Sequence, residues 1–334
     1  MWLGGVDSWL HAPPFGVAHN PSRRASDATA QAGVSHGSRG RRTGVRTIEV
    51  PAGAIEYDEA GAGPPVVLLH GLLMDHTVWD RVIALLPGGF RYIRPVLPLG
   101  AHRQAMKPGA DLSLPGQVRL VADLLDALSL EDVTLVHSDW GGALFLTAYG
   151  LDQRVARQVI LPCEAFGNFP PGLPGRMVTL AVRLPGGVQL AARQLRVGWL
   201  RRLPFMYGQM ARRPVPDELI RRWTEPVLTS PGIRRDLVAY CRGRFDKAAL
   251  TRDTEALAGF HGDVLVLWSP DNRVMPAAHG HRLAALMPRA RYAEIPGAYV
   301  LSMLDEPAAV AHKMGEFLTS TPAATEPGQG QHRP

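Results

Sequence analysis

The chain has 334 residues, 46% of them apolar, enough for one large core or a core with a lid. Its net charge of +6 is unevenly spread, with +4 on residues 1–46, +9 on residues 164–250 and −7 on the remainder. No aromatic-and-basic pattern of a nucleic-acid module occurs, no apolar run reaches the ~18 residues of a membrane span, and Cys163 and Cys241 form neither a disulfide framework nor a metal-ligand spacing.

Residues 1–44 are rich in Gly, Ser, Arg, Ala and His without periodicity, and read as a disordered extension. The first ten residues carry no basic flank and too short an apolar block for a signal peptide, so the expected location is the reduced cytoplasm. Thr47–Val50 and Ala54–Tyr57 form an expected hairpin. Pro65–Leu69 reads as a strand, Trp79–Leu86 as a short helix and Tyr92–Leu97 as the next strand. Leu120, Val121, Leu124, Leu125 and Leu128 recur at helical spacing. Val133–His137 is a strand, a helix follows residue 142, and Ala156–Leu161 is another strand, ending near Cys163, which reads as a small buried residue. Residues 164–255 combine helical patterning, paired arginines and many Pro and Gly, and read as a helical cap. The basic charge there fits arginine used as the general surface cation; a preference for anionic substrates or surfaces is the alternative. A strand at Val264–Trp268, a helix around His279–Leu286, a strand at Arg291–Ile295 and a helix near Ala308–Leu318 follow, and residues 321–334 form a loose tail. Continuous apolar strands separated by helices predict an α/β architecture, a mostly parallel doubly wound sheet covered on both faces, with its core in residues 45–163 and 256–320.

One stretch carries chemistry. Residues 134–142 read Thr-Leu-Val-His-Ser-Asp-Trp-Gly-Gly, a strand running into a sharp turn with Asp139 at its apex. Glycines two and three residues beyond an apex let the following segment pass close to the strand. Ser138 is out of that frame, because Gly141 stands three residues after it. A carboxylate presented on such a turn points to a nucleophile that forms an ester.

With Leu68-Leu69-His70-Gly71 after the third strand and the insertion before the seventh, this turn resembles the α/β-hydrolase fold over roughly residues 45–320. Asp-Trp-Gly-Gly is most similar to the haloalkane dehalogenases and epoxide hydrolases, which use an aspartate nucleophile. The resemblance implies that Asp139 attacks carbon, that the backbone N–H groups of Leu72 and Trp140 form the oxyanion hole, and that the Trp140 indole donates to a departing halide. It implies an acid partner at Glu164, just past the sixth strand, in preference to Asp271, which lies one residue before the usual position at Asn272.

The chain departs from that family where the general base belongs. Seven residues before Pro307, the place of the expected histidine, stands Val300, and no His lies between His281 and His312. His76 and His137 are the candidate substitutes, whereas His70 is structural in such folds; Tyr207 and Tyr240 are candidates for activating an epoxide. Leu72 and Leu73 replace the polar residue and the proline that dehalogenases and epoxide hydrolases respectively carry after His-Gly. The expected activity is therefore hydrolysis of a small haloalkane, epoxide or ester-like substrate through a covalent ester, slow in its second half, with no cofactor or metal, in a monomer or homodimer with neither nucleic-acid nor membrane partners. Two alternatives stand beside it: a non-hydrolytic lyase, isomerase or cyclase, and a binding protein that has lost catalysis.

Overall fold

The computed structural model describes residues 44–140, 143–243 and 246–321. The N-terminal extension and the tail expected from composition lie outside them, apart from Gly44 and Thr321. Eight strands form one sheet: β1 (Arg46–Val50), β2 (Gly53–Gly61), β3 (Pro65–Leu68), β4 (Arg91–Pro95), β5 (Val133–Asp139), β6 (Val155–Cys163), β7 (Asp263–Trp268) and β8 (Ala290–Glu294). Their spatial order is β1-β2-β4-β3-β5-β6-β7-β8. The β1–β2 hairpin and the β2–β4 pair are antiparallel, and every other neighbour is parallel. β5 and β7 are buried along their whole length, and β7 runs apolar without alternation after Asp263.

β3 sits between β4 and β5, so the chain leaves it in one direction and returns on its other side. The loops after β3 and β5 therefore diverge from neighbouring strand ends and open a crevice between them, the usual ligand position in a doubly wound sheet.

Short α1 (Asp80–Ile83) and the longer α2 (Leu114–Ala127), capped by Ser113, complete the first half. α1 is shorter than the helix expected at 79–86, because a 3-10 turn at His76–Trp79 precedes it and Pro87 disfavours helical backbone at Leu86. The expected helix after residue 142 is also replaced, by 3-10 turns at Ala143–Phe145 and Thr147–Tyr149. That run holds Phe, Thr and Tyr, which favour helix weakly, and stops at Gly150 in the left-handed conformation (φ 64).

Between β6 and β7 the described residues contain no strand. They form α3 (Gly172–Ala181), α4 (Gly187–Leu195), α5 (Gly198–Arg201), α6 (Asp217–Thr229), α7 (Pro231–Arg242) and α8 (Lys247–Glu255). α9 (Ala277–Leu286), α10 (Ser302–Asp305) and α11 (Pro307–Thr319) return to the sheet.

Buried carboxylates fasten this insertion to the sheet domain. Asp75, after β3, accepts from Trp223 Nε1 (3.0 Å) and Arg222 Nε (2.6 Å) of α6, from Arg103 (2.9 Å) and from the Thr77 backbone (3.0 Å). Asp305 of α10 accepts the backbone N–H groups of Arg212 (2.9 Å) and Arg213 (2.8 Å). Asp236 of α7 accepts from the Met106 N–H (2.7 Å) and faces His102 Nε2 (3.2 Å).

Burial alone would raise the Asp75 pKa, but the Thr77 hydrogen bond, the His76 and Arg222 charges and the Arg103 contact together hold it well below the usual carboxylate range. A depressed acid stabilises the fold above its unfolded-state pKa, and that contribution is lost as pH falls towards the native value. Asp75→Ala is expected to cost about 3 kcal/mol at neutral pH in denaturant unfolding, with the gap to the parent closing below about pH 4.

Candidate active site

The end of β5 is shaped by one close approach. Asp139 adopts φ 55, in the left-handed region, and a bulge between His137 and Asp139 breaks the pairing with β6. Its side chain lies over Gly71, where a Cβ would come within 1.9 Å of Asp139 Oδ2. Only a glycine fits beneath that carboxyl group. The Leu72 N–H donates to Oδ2 at 3.2 Å, while Oδ1 has no hydrogen-bond partner among the described residues.

Asp139 is 2% exposed and no cation among the described residues offsets its burial. Burial raises its pKa to about 7, opposed only by the backbone N–H groups of Leu72 and Trp140. The carboxyl group lies on the wall of a cavity of about 280 Å³. Apolar residues of α3 and α4, of the loop after β3 and of the segment around Tyr207 form most of that cavity, and the polar side chains on it are Asp139, Trp140, Gln194 and Tyr207. No described residue lining it is His, Lys, Arg or Glu.

Trp140 packs against Phe169 (ring centroids 4.7 Å apart) and Tyr240 (6.3 Å), and its edge abuts Gly175, where a Cβ would stand 3.0 Å from Cζ2. The Tyr240 hydroxyl donates to the Trp140 carbonyl (3.0 Å), so Tyr240 supports the turn from behind, away from the cavity wall. Tyr207 does line the cavity; burial, then the nearby Asp139 charge, pushes its pKa well above the ordinary tyrosine value. Gln194 and the α3 and α4 wall were not singled out from sequence, although Leu190, Ala191, Gln194 and Leu195 recur at helical spacing.

The other sequence candidates are scattered. Glu164 is fully buried one residue beyond Cys163, which pairs with Asp139 across β5 and β6. It does not line the cavity, and no described histidine is bonded to it; its charge adds to burial in raising the pKa of Cys163 and Tyr240. Asp271 is exposed, accepting from Gly297 N–H (3.1 Å) and pairing with Arg212 (3.3 Å), and Asn272 Oδ1 closes a turn by accepting from Val274 and Met275 N–H. Ser138 is buried and off the cavity wall.

Neither substitute histidine reaches the cavity. His137 Nε2 faces Gln158 Oε1 (3.0 Å) across β5 and β6, and burial lowers its pKa to about 4. His76 Nε2 faces Arg222 (3.2 Å), and burial lowers its pKa against the pull of Asp75. His70 accepts the Leu97 N–H at Nε2 (2.8 Å) while Nδ1 lies 2.8 Å from the Gly71 carbonyl, bridging the loops after β3 and β4. Val300 is fully buried off the cavity wall, and its segment meets that wall through Met210, whose carbonyl accepts the Leu301 N–H (2.9 Å). Among the described residues no group of His, Cys, Asp and Glu is arranged to hold a metal ion.

The sequence model of the Alpha/beta hydrolase family matches residues 66–313. An uncharacterized protein of Mycobacterium tuberculosis is 27% identical over 287 residues, covering 79% of this chain and 78% of its own. A haloalkane dehalogenase of Mesorhizobium japonicum is 35% identical over 145 residues, 42% of this chain and 46% of that one. Among solved structures, a putative ancestral haloalkane dehalogenase superposes with a TM-score of 0.65 at 21% identity, covering 82% of this chain and 98% of its own. An esterase of Thermogutta terrifontis superposes with 0.61 at 22% identity and the same coverage.

A raised acid destabilises the folded state as pH climbs, because the unfolded carboxyl ionises near pH 4 and the native one only near 7. Asp139→Asn is therefore expected to match the parent in stability near pH 4 and exceed it above pH 7, by at most about 4 kcal/mol, in denaturant melts across that range. Equal stability at every pH would mean that the native carboxyl is not raised.

Proposed function

This chain belongs to the alpha/beta hydrolase family, and on that premise we propose that it acts on small apolar alkyl halides or epoxides through an ester formed on Asp139. The observation that carries this reading is the division of labour between the two carboxyl oxygens. Oδ2 rests on the Leu72 N–H, and Oδ1 has no partner among the described residues, on a residue that lines the cavity. In the reaction Oδ1 bonds to carbon and the carbon–halogen bond breaks, the halide leaving with the electron pair. With an epoxide the ring C–O bond opens instead, and the alkoxide takes a proton from water or from Tyr207. Trp140, whose indole N–H has no protein acceptor among the described residues, is the donor for the departing group. Oδ2 becomes the ester carbonyl oxygen, already held where a later oxyanion would be stabilised.

Hydrolysis of that ester needs an activated water, and no imidazole among the described residues lines the cavity. Loss of a general base costs about 10²–10⁴-fold, so the ester accumulates. The similarity to haloalkane dehalogenases supports the carbon electrophile, and the apolar wall supports a substrate without charge.

A second reading rests on the raised pKa: a carboxyl near 7 is half-protonated at neutral pH and suits proton transfer in a lyase or isomerase. The two readings separate in one experiment. Incubation with a 1-bromoalkane or terminal epoxide is expected to add the reagent mass to intact protein, at Asp139 by peptide mapping, and to persist after excess reagent is removed. The labelling rate should rise with pH through about 7, because only the carboxylate attacks. Turnover with no adduct, abolished in Asp139→Ala, favours proton transfer; reaction surviving in Asp139→Ala overturns both.

Gly71→Ala adds a methyl group where Asp139 Oδ2 now lies. It is expected to slow labelling at least tenfold while the circular dichroism spectrum is retained, and parent-like labelling would contradict the proposed packing.

A further inference from the structure

Among the described residues, ten large apolar side chains stand well exposed, and eight of them fall between Leu173 and Phe205. Trp199, on α5, is 69% exposed. Five others, Met177, Leu180, Leu184, Leu190 and Phe205, also line the cavity that reaches Asp139. The exposed apolar surface is thus continuous with the cavity mouth. Isolated exposed leucines need no explanation, but a cluster around an entrance marks a contact surface.

Its charge is one-sided. Residues 165–216 contain eight arginines and no Asp, Glu or Lys. Arg196, Arg201, Arg212 and Arg213 are paired with Glu225, Asp217, Asp271 and Glu306, which lie outside that stretch. Arg176, Arg183, Arg193 and Arg202 are exposed and have no carboxylate partner among the described residues. They lie on the same α3–α5 segment as the exposed apolar groups.

We propose that the α3–α5 face docks on the surface of a bilayer containing anionic phospholipid, with the cavity mouth against the lipid. Apolar side chains enter the acyl boundary while guanidinium groups on flexible stems remain at the headgroup phosphates. An exposed tryptophan beside arginines suits that boundary. A second copy of the chain is a poorer match, because a two-fold contact through this face would set unpaired arginines against arginines. No described helix is long and apolar enough to cross a membrane, and peripheral docking requires none. Apolar substrates would then reach the cavity from the lipid phase. The inference is independent of the chemistry assigned to Asp139.

Co-sedimentation of the full chain with sucrose-loaded vesicles tests it. Binding to phosphatidylcholine–phosphatidylglycerol vesicles is expected to exceed binding to pure phosphatidylcholine by roughly tenfold or more, and to weaken with added salt. Two variants confined to exposed side chains, Leu173→Ser/Trp199→Ser and Arg176→Gln/Arg183→Gln/Arg193→Gln/Arg202→Gln, should each reduce partition by roughly tenfold. Their melting curves report whether they remain folded. No preference for anionic vesicles overturns the proposal, as does parent-like binding by both folded variants, which would place attachment elsewhere. Sedimentation velocity without lipid adds a further outcome: a dimer dissolved by Leu173→Ser/Trp199→Ser, with no vesicle binding, assigns the face to self-association instead.

Discussion

The contact of the Asp139 carboxyl group with the backbone of Gly71 is the constraint around which the site is built. It joins the loops after β3 and β5 where the strand order reverses. For the carboxyl to sit there, β5 must bulge, Asp139 must take a left-handed conformation, and residue 71 must lack a side chain. A non-glycine residue at positive φ costs about 1 kcal/mol, and an uncompensated buried carboxyl adds to it. Neighbouring elements hold the arrangement: His70 ties the loops after β3 and β4, and Tyr240 holds the Trp140 carbonyl. Strain and desolvation at one residue, met by rigid surroundings, are features that cluster at functional sites and support the proposed role of Asp139.

The same molecule treats two buried aspartates in opposite ways. Asp75 is surrounded by Arg103, Arg222, Thr77 and Trp223, and stays ionised. Asp139 has backbone N–H groups alone to oppose burial, and its pKa rises to about 7. Hydrogen bonds fill both oxygens of Asp75, whereas Asp139 Oδ1 is buried without a hydrogen-bond partner among the described residues. One carboxylate fastens α6 to the sheet, and the other is the residue proposed to react. Environment sets the role, since the residue type is the same.

Much of this was legible in the sequence for reasons that can be stated. β7 announces itself because a strand buried on both faces needs no polar alternation, and Asp139 is visible because Gly141 and Gly142 follow it in the sequence at fixed offsets. The run after residue 142 was harder to read, since its seven residues before Gly150 include the strong helix formers Ala and Leu and carry helix-like apolar spacing without the length to complete a helix. Long-range partners were not readable at all. Arg222 and Asp75 lie 147 positions apart, and nothing local marks either as one half of a fastening. The walls contributed by α3 and α4 were hidden for a related reason: an apolar helix face looks the same whether it meets a core or encloses an empty space.

The position of Val300 bears on the chemistry more than any residue that is present. An imidazole at that point would start from a fully buried residue off the cavity wall, on a segment whose Leu301 N–H is bonded to the Met210 carbonyl. The cavity lining is mostly apolar, and apolar walls do not order water. Apolar walls favour the first half of the proposed reaction, because displacement at carbon by a poorly solvated carboxylate is faster than by a hydrated one. They oppose the second half, which needs a polarised water and a proton acceptor. A histidine at residue 300 would therefore start from a buried position off that wall, beside a cavity whose apolar lining offers little to hold a water for it to activate.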